Sequence, residues 1–447
     1  MARNPTVNAE GNIEWTEKAT SPDGDNLIVT LKLDAIDSGS GFVQENKDSS
    51  NVSWISFSTS SNINSDGSRD VDSTVEVDPN SVDAEKVYRF EILADDGEEK
   101  VSRKVTLIVN PIINIVVDSS SISSDLNNFP VYVNLGNMSS SFWNNISNDG
   151  SEIKVFDNND NEVSRELESI NKNNQSGELY FKAPVLYSSS NTQFNLRLSG
   201  DDFTGDSSNT WSNGFTYVYH LNEDPGSAPP QFRNSVGNED ANAVGAMDSN
   251  DSVSGKIGNA VNLDVYDRVS FDADKIERDA VSQSIVDTGT ISVWFNPDGK
   301  FTGGHDEALA SFGLDGTFDR ALLYLNDNES LRFLVENSNN NTISEYQASV
   351  FNGGSWNYAV GAYDQSHNEV YFNGDRKNQI SNNISLPPGT DELRGGAGHN
   401  GNNNSNARIP LEGQIDELRF SNVKRSQAWI SAQHSNQNNP TSFYTIT

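Results

Sequence analysis

The chain is 447 residues long, strongly acidic and free of cysteine. Its 30 Lys and Arg residues stand against 64 Asp and Glu residues, a formal net charge of −34 at pH 7. This balance argues against a nucleic-acid partner, because phosphate binding needs a basic face. Without cysteine there are no disulfides or thiolate metal sites. No stretch approaches the roughly 20 apolar residues of a membrane span, and about 150 residues per domain predicts three domains.

Residues 1–111 consist of short runs in which apolar residues alternate, separated by Asp-Gly turns. This period of two is typical of strands with one buried face, and the spacing suits an immunoglobulin-like sandwich. The strand rhythm and the turn at residues 94–97 resemble the cadherin-like and immunoglobulin-like repeats of prokaryotic and viral surface proteins. The predicted strands are residues 26–33, 52–57, 72–77, 87–93 and 104–109.

Residues 112–214 contain a second set of predicted strands, in which Phe129 is expected to be a core anchor. The succession of runs resembles an uncharacterised β-sandwich family that occurs directly upstream of laminin-G-like domains in bacterial, archaeal and viral exported proteins. The resemblance implies a small β-sandwich and no known chemistry. The runs that carry it are residues 112–117, 126–135, 151–157, 177–184 and 210–214.

Residues 215–447 carry a third set of runs, followed by one predicted helix at residues 425–434 with Ser426 as its N-cap. The order of the runs resembles a laminin-G-like domain, a concanavalin A-like jelly roll. Trp294 and Trp356 are large enough to hold two stacked sheets together. The runs are residues 217–223, 255–263, 289–297, 356–360, 369–374 and 411–421.

The sequence therefore predicts an all-β chain of three tandem sandwich domains. An immunoglobulin-like or cadherin-like sandwich at 1–111 is followed by a small β-sandwich at 112–214. A jelly roll with a short C-terminal helix occupies 215–447.

Catalytic residues are not predicted. Asp416 and Glu417 are adjacent, so in a regular strand they point to opposite faces, which argues against a cooperating carboxylate pair. The sequence has neither a Gly-x-Ser-x-Gly nor a His-Glu-x-x-His motif, and its five histidines are scattered. A non-enzyme is expected, with a polysaccharide hydrolase or lyase as an alternative.

Structural calcium is a candidate cofactor, because the chain is rich in the carboxylate and amide oxygens that this ion prefers. The laminin-G resemblance implies an ion that ties the opening strand of the jelly roll to its closing strand, with Glu223 and Asp416 as ligands. The family tends to place Asp where this chain has Asn234. The alternative is that Asp416 and Arg419 are solvated strand residues.

Two loops of the jelly roll are candidates for ligand binding, since many laminin-G-like domains bind carbohydrate through aromatic platforms and polar loops at one rim. His305 and Asp306 belong to the first loop, and His399 and Asn400 lie in a glycine-rich second loop at residues 395–401. The alternative for the second loop is a mobile linker.

The function expected from these features is that of a non-enzymatic virion structural protein of a halophilic, archaeal virus. It would be a capsid turret, spike or tail-fibre component that displays a lectin-like domain. The expectation rests on surface-type modules after a start methionine without an export signal, and on a charge suited to hypersaline solvent.

The expected partners are other virion or surface-layer proteins and a glycan on the host surface, and the chain is expected to be a homo-oligomer at the virion surface. The alternative is a secreted or cell-surface carbohydrate-binding adhesin of a halophilic microbe.

Overall fold

The computed structural model is built almost entirely of antiparallel strands, as the sequence predicts. Within the part of the chain that it describes, no helix has the length and apolar character needed to cross a membrane. The described residues are 6–7, 13–21, 28–37, 42–48, 52–53, 55–66, 68–77, 87–95, 98, 100–108, 113–198, 203, 205–267, 272–281, 287–298, 305–314, 317–328, 330–347, 354–387, 391–399 and 409–447.

The N-terminal sandwich has two four-stranded sheets, in the orders β1-β2-β6-β5 and β4-β3-β7-β8. Alternate residues point inward, so Val75 and Val77 of one sheet and Phe90 of the other are fully buried. The strands are β1 (Thr6–Val7), β2 (Ile13–Ser21), β3 (Ile28–Asp37), β4 (Phe42–Asp48), β5 (Ile55–Ile63), β6 (Arg69–Val77), β7 (Val87–Asp95) and β8 (Lys100–Ile108).

The middle sandwich packs a three-stranded sheet, β10-β14-β13, against a second sheet that includes β12-β11-β15-β9. Phe129 is fully buried, which confirms it as a core residue. A short helix, α1 (Ser140–Asn145), is capped by Ser139 and buries Trp143. The strands are β9 (Ile113–Val117), β10 (Leu126–Asn134), β11 (Ile153–Phe156), β12 (Glu162–Val163), β13 (Arg165–Asn171), β14 (Ser176–Leu186) and β15 (Thr192–Leu198).

The C-terminal region forms a jelly roll of two large sheets around one apolar core. Its described strands begin with β16 (Phe215–Tyr219), β17 (Asn242–Val244), β18 (Ser252–Ser254), β19 (Asn259–Leu263), β20 (Val265–Asp267), β21 (Asp272–Ala273), β22 (Lys275–Val281), β23 (Gly289–Pro297) and β24 (Glu307–Leu314). The others are β25 (Arg320–Leu325), β26 (Ser330–Glu336), β27 (Asn341–Gln347), β28 (Asn357–Tyr363), β29 (His367–Phe372), β30 (Asp375–Ser381), β31 (Asp391–Gly395) and β32 (Gly413–Ser421).

One large sheet has the order β18-β19-β32-β23-β28-β29-β30, and the other the order β17-β22-β31-β24-β25-β26-β27. The opening strand β16 pairs directly with the closing strand β32, so backbone hydrogen bonds join the two ends of the jelly roll. Strands β20 and β21 form a separate two-stranded sheet.

The predicted C-terminal helix is confirmed as α2 (Gln427–Asn438), and the side chain of Ser426 accepts a hydrogen bond from the backbone of Trp429. A short helix α3 (Pro440–Phe443) and a last strand β33 (Tyr444–Ile446) follow. Strand β33 pairs with β9, and the Trp429 ring lies 4.9 Å from Phe129. The chain end therefore returns to the middle sandwich, which the sequence did not predict.

Trp294 does not lie between the jelly-roll sheets, so its predicted role was wrong. Along β23, Val293 and Phe295 face the core, and Trp294 points to the opposite side because side chains alternate. There it packs with Tyr358 and Ile430 of α2, and Trp356 is half-buried against the same cluster. These tryptophans hold the helix, rather than the second sheet, against the jelly roll.

Candidate functional site

Asp416 and Glu417 lie on the same side of β32, so the prediction that they face opposite ways was wrong. A bulge interrupts the pairing of β23 with β32 at this point, and Glu417 has a positive φ of 54°. Ile415 and Leu418 point into the jelly-roll core. Asp416 instead accepts a hydrogen bond from the backbone of Ile257, and Glu417 accepts one from the Tyr180 hydroxyl. Ile257 and Tyr180 both belong to the apolar cluster in which the middle sandwich meets the jelly roll.

Glu417 is the centre of a buried set of ion pairs between the two sandwiches. Its Oε1 accepts a hydrogen bond from the Tyr180 hydroxyl at 2.8 Å and lies 2.7 Å from Nδ1 of His220. Its Oε2 accepts from Nε of Arg419 at 3.0 Å. Burial opposes ionisation, but Arg419 and His220 outweigh it and hold the pKa of Glu417 at about 2.

His220 connects this carboxylate to two glutamates of strand β13. Its Nε2 lies 3.4 Å from Glu166, and Arg233 donates to Glu166 at 2.9 Å and to Glu168 at 3.2 Å. Burial lowers the pKa of His220, but the carboxylates of Glu417 and Glu168 outweigh it and raise that pKa well above its ordinary value. The imidazole is therefore charged at neutral pH.

Several neighbouring carboxyl groups hold a proton more tightly than an exposed carboxyl group does. Burial raises the pKa of Glu168 and of Glu178 to about 7, and Glu178 accepts a short hydrogen bond from Tyr132. Burial and the charge of Glu417 raise the pKa of Asp416 well above its usual range. Positive and negative charges thus lie close together in a site that is largely buried and opens to solvent at Arg233.

We call this set of residues the interface network. It consists of Tyr132, Glu166, Glu168, Glu178, Tyr180, His220, Arg233, Glu417 and Arg419.

The structure contains acidic groups that could hold a metal ion, each offering three ligand atoms within 4.8 Å of one another. In the first group His220 already has a carboxylate at both ring nitrogens, and Arg233 neutralises the glutamates. That arrangement favours an ion-pair network over a metal site. The groups are Glu166–Glu168–His220, Asp251–Asp264–Asp274 and Glu277–Asp279–Glu392.

The predicted calcium ligands lie near the ends of the paired strands β16 and β32. Glu223 accepts a hydrogen bond from the backbone of Arg233 at 2.8 Å, and Asp416 accepts one from the backbone of Ile257 at 2.8 Å. One oxygen of each carboxylate is buried without a hydrogen bond. Asp416 is fully buried, so it is not a solvated strand residue. Neither residue belongs to the acidic groups above, and their binding of calcium stays a prediction.

The predicted ligand-binding residues lie in separate environments. Asp306 accepts a hydrogen bond from the backbone of Asp327 at 3.1 Å, and the neighbouring His305 is exposed. His399 is only 1% exposed, with its Nε2 3.6 Å from Glu392. Asn400 lies outside the described residues. Ligand binding by all four stays a prediction.

A polar groove of about 530 Å³ opens at one end of the jelly roll. Asp319, one of its lining residues, lies at the start of β25, and Asp306 lies at the start of β24. Because these two strands are antiparallel neighbours, their starts are at opposite ends of the sheet, and the groove lies at the end away from Asp306. Its lining residues are Asp287, Asp319, Asn337, Ser338, Asn339, Ser385, Leu386 and Pro387. We call it the rim groove.

Hydrogen bonds already orient the polar groups of the rim groove. Asp319 accepts from the backbone of Ser338 at 3.1 Å, and the Asn337 amide donates to the carbonyl of Ser385 at 3.2 Å. The Ser385 hydroxyl donates to Asp287. Phe318, next in the chain to Asp319, is 42% exposed. Carboxylates, amides and hydroxyls therefore lie together in the groove, and an exposed aromatic residue precedes one of its carboxylates in the chain.

Sequence reasoning missed both the rim groove and the interface network. The groove combines residues from four separate segments, and its local sequence signals were limited to the polar hairpin at residues 337–340 and the Phe318-Asp319 dipeptide. The interface network depends on contacts such as that of Tyr180 with Glu417, which are 237 positions apart.

The interface network predicts a defined pH dependence of stability. Because the pKa of Glu178 is raised, the folded chain binds this proton more tightly than the unfolded chain does. This stabilisation is complete below a pH of about 4.5, the pKa of Glu178 in the unfolded chain, and is lost as pH rises through about 7, its pKa in the folded chain. The loss amounts to about 3 kcal/mol of unfolding free energy. Glu178→Gln keeps an acceptor for Tyr132, so it should match the native protein at pH 4 and be more stable above pH 7 in chemical unfolding.

The control is Asp298→Asn, which removes the same charge at an exposed position. This variant should follow the native pH profile. Parallel profiles for the native protein and Glu178→Gln would contradict the buried, proton-binding role of Glu178.

Comparison with known proteins identifies the C-terminal region. Residues 272–431, about a third of the chain, match the family model described as the concanavalin A-like lectin/glucanases superfamily. Comparison with curated protein sequences gives no match.

Among solved structures, the chain is similar to domain 4 of AbnA, an extracellular arabinanase from Geobacillus stearothermophilus, in complex with arabinotriose. The identity is 19%, the coverage 48% of this chain and 96% of that one, and the TM-score 0.34. It is also similar to the CBM40 domain of a Ruminococcus gnavus sialidase bound to α2,3-sialyllactose, with 17% identity, 33% and 83% coverage and a TM-score of 0.29. The C-terminal region of this all-β chain is thus a concanavalin A-like jelly roll.

Proposed function

We propose that the jelly roll is a non-catalytic carbohydrate-binding domain and that the rim groove is its binding site. The observation that carries the proposal is the groove itself, which Asp287, Asp319 and Asn337 line, together with the exposed Phe318 that precedes Asp319 in the chain. Sugar hydroxyls bond to carboxylate and amide groups, and the C–H face of a sugar ring packs on an aromatic side chain. The match to a superfamily of lectins and glucanases supports a saccharide as the ligand class.

The electrostatics of the groove favour binding over hydrolysis. A glycoside hydrolase needs one carboxyl group with a raised pKa to protonate the leaving group. Hydrogen bonds from Ser385 and Gln365 instead lower the pKa of Asp287. The adjacent carboxylates Asp416 and Glu417 of β32 are fully buried.

The binding site is tested by Phe318→Ala. Removing an exposed aromatic ring should leave stability unchanged and weaken glycan binding at least tenfold, which corresponds to about 1.4 kcal/mol. A glycan array identifies the ligand, and titration calorimetry in molar salt then measures the affinity.

Tyr187→Ala is the matched control, because this aromatic residue is 46% exposed on the middle sandwich. It should bind like the native protein. Equal losses in both variants, no glycan binding by the native chain, or release of shorter sugars during incubation would each contradict the proposal.

We further propose that the carbohydrate-binding domain is displayed on a virion of a halophilic archaeal virus, as part of a turret, spike or tail fibre. The net charge of −34 and the succession of sandwich domains support this assignment. A cell-surface or secreted adhesin is the alternative. Antibody labelling of purified particles in electron microscopy should place the chain on their surface, and unlabelled particles would contradict the virion assignment.

The halophilic part of this proposal predicts a steep salt dependence of stability. A chain with a net charge of −34 repels itself at low ionic strength, and the Debye length falls from about 10 Å at 0.1 M to about 3 Å at 1 M salt. The midpoint of thermal unfolding should therefore rise steadily from 0.1 M toward molar KCl. An unchanged midpoint over this range would contradict the adaptation to high salt.

A further inference from the structure

The edges of the N-terminal sheets are protected unequally. An exposed edge strand can pair with another chain, and proteins usually prevent this with short strands or with charged side chains. Strand β1 has only two residues. The edge strands β4 and β8 both carry charged residues, namely Glu45, Lys47 and Asp48 in β4 and Lys100, Arg103 and Lys104 in β8.

Strand β5, Ile55–Ile63, is the exception. It ends the sheet β1-β2-β6-β5, it is nine residues long, and it contains neither charge nor proline. The uncharged stretch extends over residues 49–65, in a chain with 64 acidic residues. Two copies of such an acidic chain repel each other over most of their surface, so this edge is a place where they can approach without burying charge.

The sequence of β5 nearly reads the same in both directions around Thr59. If two copies pair antiparallel with Thr59 at the two-fold axis, Ile55 lies opposite Ile63 and Phe57 opposite Ser61. Ser58 then lies opposite Ser60, and Ser56 opposite Asn62. Apolar pairs and Ser or Thr pairs are favourable cross-strand neighbours, and an isologous contact needs this kind of self-complementarity.

Ile63 shows what the second copy would cover. Ile55 and Phe57 pack against the core. Ile63 is an even number of residues further along the strand, so its side chain points to the same face of the sheet. Its side chain is nevertheless 60% exposed, and its partner on β6 in the described part of the sheet is Arg69. In the antiparallel pair, Ile55 of the second copy would lie against it.

We propose that β5 is a dimerisation edge, at which two copies of this chain join their sheets into one continuous eight-stranded sheet. The contact is independent of carbohydrate binding and lies in a different domain. Its consequence is that two jelly rolls are displayed together, which strengthens attachment to a surface with repeated ligands.

The register is tested by disulfide trapping, for which a chain without native cysteine is well suited. Directly opposite residues of antiparallel strands have Cα atoms about 4.5–5.5 Å apart, within the range of a disulfide. Thr59→Cys in the full chain should therefore form a covalent dimer on mild oxidation in molar KCl. Ser102→Cys, an exposed position on the charged edge β8, should stay monomeric under the same conditions.

Sedimentation equilibrium of the full chain provides the second test. The native protein should show a reversible monomer–dimer equilibrium between about 1 and 100 μM. Thr59→Lys places two like charges opposite each other and should weaken dimerisation at least tenfold. Ser102→Lys adds the same charge at another edge and should have the native dimerisation constant. A monomeric native protein, or a Thr59→Lys variant with unchanged dimerisation, would overturn the proposal.

Discussion

The structure from residue 113 onward depends on keeping ionised groups buried between two sandwiches. An unpaired charge in such a place costs several kcal/mol, so each charged member of the interface network needs a partner. Across the boundary, His220 and Arg233 of the jelly roll pair with Glu166 of the middle sandwich, and Arg233 also pairs with Glu168. Glu417 of the jelly roll is held by Arg419 and His220 and receives a hydrogen bond from Tyr180 of the middle sandwich. Separating the sandwiches would remove the partners of Glu166 and Glu168 and the hydrogen bond of Tyr180, so the interface favours one fixed arrangement.

The C-terminal segment strengthens the same connection. After leaving the jelly roll, the chain forms α2, whose Ile430 packs on that domain while Trp429 packs on the middle sandwich. Strand β33 then adds to the sheet that begins with β9. The middle sandwich therefore needs residues from both ends of the jelly roll. The rim groove lies on a firmly supported scaffold, a requirement for any site that recognises a ligand by positioned hydrogen bonds.

Much of the architecture could be predicted from the sequence, because period-two alternation and turn residues are local signals. The all-β class, the jelly roll, the core position of Phe129 and the helix after Ser426 are confirmed. The side of a strand to which a single side chain points was less predictable. The bulge at Glu417 leaves no clear local signal, yet it puts Asp416 and Glu417 on one side of β32. The rim groove and the pairing of β33 with β9 depend on distant segments, which alternation alone does not bring together.

The central claim is that the interface network makes the middle sandwich and the jelly roll a single unfolding unit. Native-state hydrogen exchange of the full chain tests it most directly, because it reports the opening free energy of each strand. The account predicts that the most protected amides of β15, in the middle sandwich, and of β25, in the jelly roll, exchange through openings of equal free energy and equal denaturant dependence. A β15 that opens at distinctly lower free energy while β25 stays protected would contradict it.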